Sequence, residues 1–303
     1  MTVDPELVRA LEAAVPGRVR TNEPLARYTS FRIGGPADVL VSPDTAEELG
    51  AVLRLAAEHS TAATMLGGGS NLLVGDGGIR GIVVRLGAGF RHVAWDAPCV
   101  EAGAGVQLGR LARDAAQRGL GGLEYAEGIP GTVGGALFMN AGAYGGEVAD
   151  AVDEVETVDA SGRVRRIGRD ELAFTYRRTA LPAGVVVTAV RFRLRAEAVE
   201  RVRARMEDAR ARRTASQPHG SANAGSIFKN PPGDHAGRLV EAAGLKGVRV
   251  GGARVSDAHA NFIVNDGEAR AADVQALMQQ AQRVVWEGSG VWLEPEVRLI
   301  GSW

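Results

Sequence analysis

Between residues 119 and 146 the chain carries ten glycines in 28 positions, with neither a helical period nor strand alternation. Glycine weakens helix and strand interiors. It serves where the backbone must take φ > 0 or approach another group closely. At this density in a folded interior it implies main chain packed against something other than side chains. Two readings stand for the segment by itself. It is a buried irregular loop that satisfies its own N–H and C=O groups. Or it wraps a large planar ligand by main-chain contacts, with Thr132 and Asn140 among its few polar side chains.

The rest of the composition narrows the class. The 41 glycines among 303 residues follow no Gly-X-Y period and come with only 12 prolines, which excludes a collagen-like chain. A hydrophobic content of 45% at a net charge of −1 excludes a disordered one. The length suits one large or two to three small domains of roughly 100–200 residues each. Balanced charge gives no reason to expect a nucleic-acid or membrane partner, and no obligate protein partner is evident. The single cysteine, Cys99, precludes an internal disulfide and fits a reducing, cytoplasmic setting. Asp4, Glu6, Arg9 and Glu12 argue against a signal peptide, and no apolar run approaches the ~20 residues of a membrane span. The five histidines show no metal-ligand spacing, so no metal is expected.

Periodicity predicts helices over 4–14, from 45 onward, and over 106–118, 196–213, 235–243 and 270–287. Strands are predicted at 37–42, 62–66, 81–86, 91–95, 98–102, 152–158, 163–167, 184–194, 252–256, 261–265 and 291–300. A polar linker at 214–225 follows the charged helix, and a domain boundary is expected near 200. The last hundred residues read as a compact α+β unit.

Six segments carry chemistry candidates. At 65–74 a strand enters Gly67-Gly68-Gly69-Ser70-Asn71, whose consecutive N–H groups suit a pyrophosphate, with a plain tight turn as the lesser reading. No Lys follows, so it is not a nucleotide P-loop. Residues 103–109 (GAGVQLG) have G-x-G-x-x-x-G spacing, a weak dinucleotide match better read as a turn. The 119–146 stretch is the third. The fourth is GSIFKNP at 225–231, where Ser226 beside Lys229 is a proton donor or acceptor, or simply a cap. The fifth is WLEPEVRLIG at 292–301, whose alternation puts Glu294, Glu296 and Arg298 on one strand face. The sixth is FTYRRTAL at 174–181 with its paired arginines. The arginines of 196–213 read as a solvated helix face or, in the minority reading, as a phosphate-facing end.

Together these blocks are more specific than any one of them. YTSFRIGGPAD at 28–38, GGGSNLLV at 67–74, EYAEGIPGTVGGALFMNAGAYG at 124–145, Tyr176-Arg177, NAGSIFKNP at 223–231, GRLVEAAGLKG at 237–247, SDAHANFIVN at 256–265 and EPEVRLIG at 294–301 span most of the chain. Their order resembles the UDP-N-acetylenolpyruvoylglucosamine reductases, or UDP-N-acetylmuramate dehydrogenases, of peptidoglycan synthesis. The chain is similar to their shorter type, without the tyrosine-bearing insertion.

The resemblance implies a cytoplasmic α+β protein. Its FAD-binding region would be the two-subdomain fold of the vanillyl-alcohol-oxidase (PCMH) type over 1–200, with subdomains about 1–86 and 87–200. A C-terminal α+β substrate domain would cover 201–303. It implies non-covalent FAD, NADPH as reductant, a small UDP-sugar substrate, and a role in cell wall biogenesis and hence cell shape and division. Hydride would pass from flavin N5 to the enol ether carbon β to a carboxylate, with Ser226 supplying the proton to the α carbon. Arg177 and a protonated Glu296 would polarise and place that carboxylate. The flavin would rest on the backbone of Gly67, Gly68, Gly69, Ser70 and Asn71 and on Gly131 and Thr132. Lys229 and Asn230 would meet the substrate. Arg213 and Arg238 would meet the diphosphate, since Arg forks match phosphate oxygens.

Overall fold

A computed structural model describes residues 3–303. The chain divides into two compact units. One comprises the segment ending at Thr21 together with Val39–Gly68 and Gly81–Arg213. The other comprises Asn22–Asp38, Gly69–Arg80 and Thr214–Trp303. Residue 200, where the sequence suggests a boundary, lies in the helix Val199–Ser216, and the grouping changes between Arg213 and Thr214.

The first unit has two hydrophobic cores. Its larger sheet is antiparallel, in the order Val164–Gly168, Val152–Asp159, Val185–Arg193, Cys99–Gly103, Val93–Asp96. Val100, Val155, Val190 and Phe192 of this sheet pack with Leu111 of the helix Leu108–Gln117 and Leu137 of the short helix Val133–Phe138. In the second core, Leu7 and Leu11 of the helix Pro5–Ala14 meet Leu49 and Val52 of Ala46–Glu58, with Val158 and Val186 from the large sheet. Pro5–Ala14 starts where the sequence says it should. Asp4 accepts the Glu6 N–H at 2.9 Å, and proline occupies the first turn, where no N–H is missed. A four-stranded sheet has the order Val19–Pro24, Pro36–Val41, Ile79–Val84, Ala63–Met65, and its first three strands carry the chain from one unit into the other.

In the second unit the helix Ala271–Ser289 presents Val274, Leu277, Met278 and Val285 to a core shared with Phe31, Leu73, Leu239, Val255 and Ile263. A sheet of Arg249–Val250, Ala253–Val255 and Ile263–Asn265 contributes Val255 and Ile263. The helix is stopped by Gly290 at φ 68°, a left-handed cap that glycine adopts without a Cβ penalty. At its start Asp76 accepts the N–H groups of Ala271 (2.9 Å) and Ala272 (3.1 Å), supplying charge at the positive end of the helix.

The structure departs from the sequence reading in several places, and the strands Val19–Pro24, Leu72–Val74 and Arg249–Val250 are among the elements not predicted. Of the strand predicted over 291–300 only Arg298–Ile300 is regular, paired in parallel with Leu72–Val74. Pro295 has no N–H to give a ladder. A hairpin of Ala173–Thr175 and Arg178–Ala180 was not predicted. The glycine-rich stretch contains the six-residue helix Val133–Phe138.

Candidate active site

In the first unit, the start of the 67–71 loop lies against 131–132. A Cβ on Gly68 would sit 2.7 Å from the Gly131 Cα, and one on Gly67 would sit 3.1 Å from the Thr132 hydroxyl oxygen. Gly131 has φ 112°, which other residues rarely adopt. Val133 and Gly134 donate to the carbonyls of Val106 and Ala104 at 2.8 and 2.9 Å, stitching this turn to the 103–109 loop. The glycines of that loop have an internal purpose. Gly103 and Gly105 pack on the backbone of Phe90, and a Cβ on Gly103 would fall 2.3 Å from its carbonyl oxygen. Thr132 caps the short helix through the Gly135 N–H at 3.5 Å. Among the described residues, none accepts a hydrogen bond from the N–H of Gly67, Gly68, Gly131 or Thr132. Two facing turns of uncommitted amides, with no room for a side chain at Gly68, fit a flavin cofactor's anionic linker held by main chain. No His lies in either turn to carry a covalent flavin link.

Arg177 occupies the tip of the 173–180 hairpin. Its own φ is 58°, and its guanidinium lies 4.9 Å from the Tyr176 ring centre. Two buried groups fasten this hairpin to the glycine-rich stretch. Asn140, 0% exposed, donates from Nδ2 to the Thr175 carbonyl at 3.1 Å and accepts the Ala149 N–H at 3.0 Å. The Thr179 hydroxyl donates to the Leu137 carbonyl.

The charged helix Val199–Ser216 buries Val202, Met206 and Ala209. Arg205 pairs with Glu124 and Glu197, and Arg212 with Asp208. Arg213 differs. It is half-buried, its stem lies against Gly128, and among the described residues no carboxylate pairs with it. Burial pushes its pKa below the usual arginine value, with an opposing influence of Tyr144.

The second unit brings several predicted residues onto one backbone ribbon. Glu296 and Val297 donate to the Ile227 carbonyl at 2.8 and 3.3 Å, and Lys229 donates to the Glu294 carbonyl at 2.9 Å. Ser226 therefore adjoins the residue that bonds Glu296. Its hydroxyl makes no hydrogen bond to a described residue, so it caps neither helix nor turn, and it is half-buried. Asn71 reaches the same ribbon, donating from Nδ2 to the Glu296 carbonyl at 3.0 Å. Gly69 takes φ 63° against the Tyr28 carbonyl and accepts the Ser30 N–H at 3.1 Å, so Gly69, Ser70 and Asn71 belong to this unit while Gly67 and Gly68 belong to the other.

The remaining substrate candidates have structural partners. Lys229 forms an ion pair with Glu294, and Asn230 accepts the Ala236 N–H at 3.1 Å. Arg238 is bound to Asp234, whose carboxyl is lowered to about 2 first by that hydrogen bond and next by the His235 N–H. Among the described residues no cluster of three or more His, Cys, Asp or Glu could hold a metal. The sequence reading missed Asn261 and the anchoring work of Asn140. Their signal was available: an amide inside an apolar run must find partners once buried.

Comparison with known proteins fits this arrangement. Residues 37–168 match the family described as FAD binding domain. Residues 217–300 match that described as UDP-N-acetylenolpyruvoylglucosamine reductase, C-terminal domain. The chain is 50% identical over 287 residues to UDP-N-acetylenolpyruvoylglucosamine reductase 2 of Symbiobacterium thermophilum, covering 94% of this chain and 93% of that one. It is 46% identical to the UDP-N-acetylenolpyruvoylglucosamine reductase of Azorhizobium caulinodans, over 98% and 97% of the two chains. Among solved structures, the UDP-N-acetylenolpyruvylglucosamine reductase of Thermus caldophilus aligns with a TM-score of 0.80 at 42% identity, covering 91% of this chain and 97% of that one. The amide-lined turns, the Ser226–Glu296 ribbon and these likenesses agree: the chain belongs to the UDP-N-acetylenolpyruvoylglucosamine reductase family and is an FAD-dependent oxidoreductase.

Proposed function

We propose that the chain reduces the enolpyruvyl ether of UDP-N-acetylglucosamine enolpyruvate to UDP-N-acetylmuramate, with NADPH as electron source, in the cytoplasmic synthesis of peptidoglycan precursors. FAD, when bound, supplies the two-electron relay between NADPH and the substrate double bond. The net change adds hydride to the carbon β to the carboxylate and a proton to the α carbon.

The chain's own residues manage charge and proton. As the β carbon gains hydride, negative charge spreads over the α carbon and carboxylate. Groups fixed in a water-poor site stabilise it far better than solvent does. Arg177 at its hairpin tip and Glu296 in its protonated form take this part. Ser226 gives its hydroxyl proton to the α carbon. Arg213 receives a diphosphate, consistent with its half-buried guanidinium beside Gly128. Gly67, Gly68, Gly131 and Thr132 hold the flavin by main chain, joined by Gly69, Ser70 and Asn71; Lys229 and Asn230 meet the UDP-sugar, and Arg238 joins Arg213 at its diphosphate.

The observation that carries this reading is the uncommitted Ser226 hydroxyl, one residue from the carbonyl that bonds the Glu296 N–H at 2.8 Å. The test separates the two half-reactions by stopped-flow absorbance of the flavin. Ser226→Ala should leave reduction by NADPH nearly intact. It should slow reoxidation by the enolpyruvyl substrate ~10²–10³-fold, the usual cost of losing one transition-state donor. Equal loss in both halves would overturn the assignment.

A further inference from the structure

We infer that Asn261 is a positioning residue for Ser226, an inference that rests on the proton-donor role proposed above. The Ser226 hydroxyl bonds nothing among the described residues, so its location is inherited from the residues after it. Those residues are held from two sides. On one side lie Glu296 and Val297, bonded to the Ile227 carbonyl, and the Glu294 carbonyl, bonded to Lys229. On the other side, among the described residues, Asn261 bonds this pair where a strand would otherwise lie.

Asn261 is 3% exposed and makes three bonds to the pair following Ser226. Its Nδ2 donates to the Phe228 carbonyl at 2.8 Å, and its Oδ1 accepts the Phe228 N–H at 2.9 Å. Its backbone carbonyl accepts the Ile227 N–H at 2.8 Å. A carboxamide is the neutral side chain that offers a donor and an acceptor side by side, so it can replace a neighbouring strand for one residue. Aspartate lacks the donor, and an apolar residue lacks both.

Asn261 is itself fixed. Its N–H donates to Nδ1 of His259 at 3.1 Å, and the His259 ring meets Phe262 edge-on at 5.0 Å. Gly237 admits that ring, since a Cβ there would fall 2.8 Å from the His259 Cε1. Burial, then the nearby Lys246 charge, keeps the His259 pKa below its ordinary value, which favours the neutral ring whose Nδ1 can accept. Ser226 thus adjoins a chain of contacts that runs from His259 through Asn261 to Ile227 and Phe228.

The experiment uses the FAD-loaded enzyme and compares Asn261→Asp, Ser226→Ala and the double variant in both half-reactions. Displacing a reacting group by about 1 Å costs ~10²-fold. Asn261→Asp should slow reoxidation by the enolpyruvyl substrate by about that factor, with flavin reduction by NADPH unchanged. The double variant should be no slower than Ser226→Ala alone. Amide hydrogen exchange at Ile227 and Phe228 should quicken in Asn261→Asp and stay unchanged in Ser226→Ala. Multiplying losses in the double variant, equal loss in both half-reactions, or normal reoxidation in Asn261→Asp would each overturn the role of Asn261. Normal reoxidation in Ser226→Ala would instead overturn the proton-donor reading. If the buried carboxylate prevents folding, Asn261→Ser goes through the same cycle with the same outcomes.

Discussion

The carboxamide of Asn71 donates to the backbone carbonyl of Glu296 at 3.0 Å, and the Asn71 carbonyl accepts the Arg298 N–H at the same distance. A residue expected to face the cofactor therefore spends its side chain on the segment that leads into the strand Arg298–Ile300 and carries Glu296, the carboxyl proposed to act on the substrate. The parallel pairing of Leu72–Val74 with Arg298–Ile300 continues directly from this bond. Asn71→Ala should cost about 1 kcal/mol of stability, the net worth of one hydrogen bond. Turnover should fall further than flavin occupancy. The flavin-to-protein absorbance ratio, measured beside the steady-state rate, separates the two roles. If lost flavin accounts for all the lost turnover, the side chain belongs to the cofactor site alone.

Gly68 gives a sharper test of the main-chain cradle. An added Cβ would lie 2.7 Å from the Gly131 Cα, and neither backbone has a flexible end that could yield. Gly68→Ala should purify with less FAD and regain little of it on adding the cofactor. Gly288 is the matched control, a helix glycine with nothing within 4 Å of an added Cβ. Gly288→Ala should retain FAD and gain up to about 0.5–1 kcal/mol, because alanine loses less chain entropy in a helix. Full FAD retention in Gly68→Ala would remove the argument for the cradle.

Most of the framework was legible because it is written in periodicity. Apolar spacing located Pro5–Ala14, Ala46–Glu58 and Ala271–Ser289. Other features leave no such mark. The strands Ala173–Thr175 and Arg178–Ala180 are three residues each, too short for alternation to register, so the element that presents Arg177 was invisible. The 67–71 loop read as one anion-binding turn, yet the chain passes from one compact unit to the other between Gly68 and Gly69. No local pattern encodes that crossing. Asn140 and Asn261 act on backbone groups distant in sequence, so spacing could not reveal their partners. Ser226, Arg177 and Glu296 came instead from the order of whole blocks.

Arg213 should prove a ligand residue, because among the described residues no carboxylate pairs with it. A half-buried cation without a carboxylate is expensive unless a ligand completes it. Arg213→Lys keeps the charge and loses the fork, so affinity for the diphosphate-bearing substrate should weaken by roughly 10–100-fold, the worth of one charge-assisted hydrogen bond. Arg212, paired with Asp208 at 2.9 Å, should tolerate the same change. Titration calorimetry with UDP-N-acetylmuramate distinguishes them; equal affinities for the two variants would show that Arg213 is only packing.

Glu124 contributes to how the first unit responds to acid. Its side chain is 12% exposed. It accepts from Arg205 Nε at 3.0 Å and from the Gly122 N–H at 2.7 Å. Burial pushes the carboxyl up, but the Arg205 hydrogen bond, the N–H groups of Glu124 and Gly122, and the Arg205 charge together hold it below the ordinary glutamate value. A carboxyl lowered on folding binds fewer protons in the folded state than in the unfolded chain through this range. Its stabilisation is complete above the unfolded value of about 4.3 and fades as pH falls through the lowered folded value. Glu124→Gln keeps one acceptor and loses the charge, so it should be less stable than the parent at pH 7. Near pH 3 the gap should narrow. Urea midpoints at both pH values measure it, and a gap that stays constant between them would show that Glu124 does not titrate differently on folding.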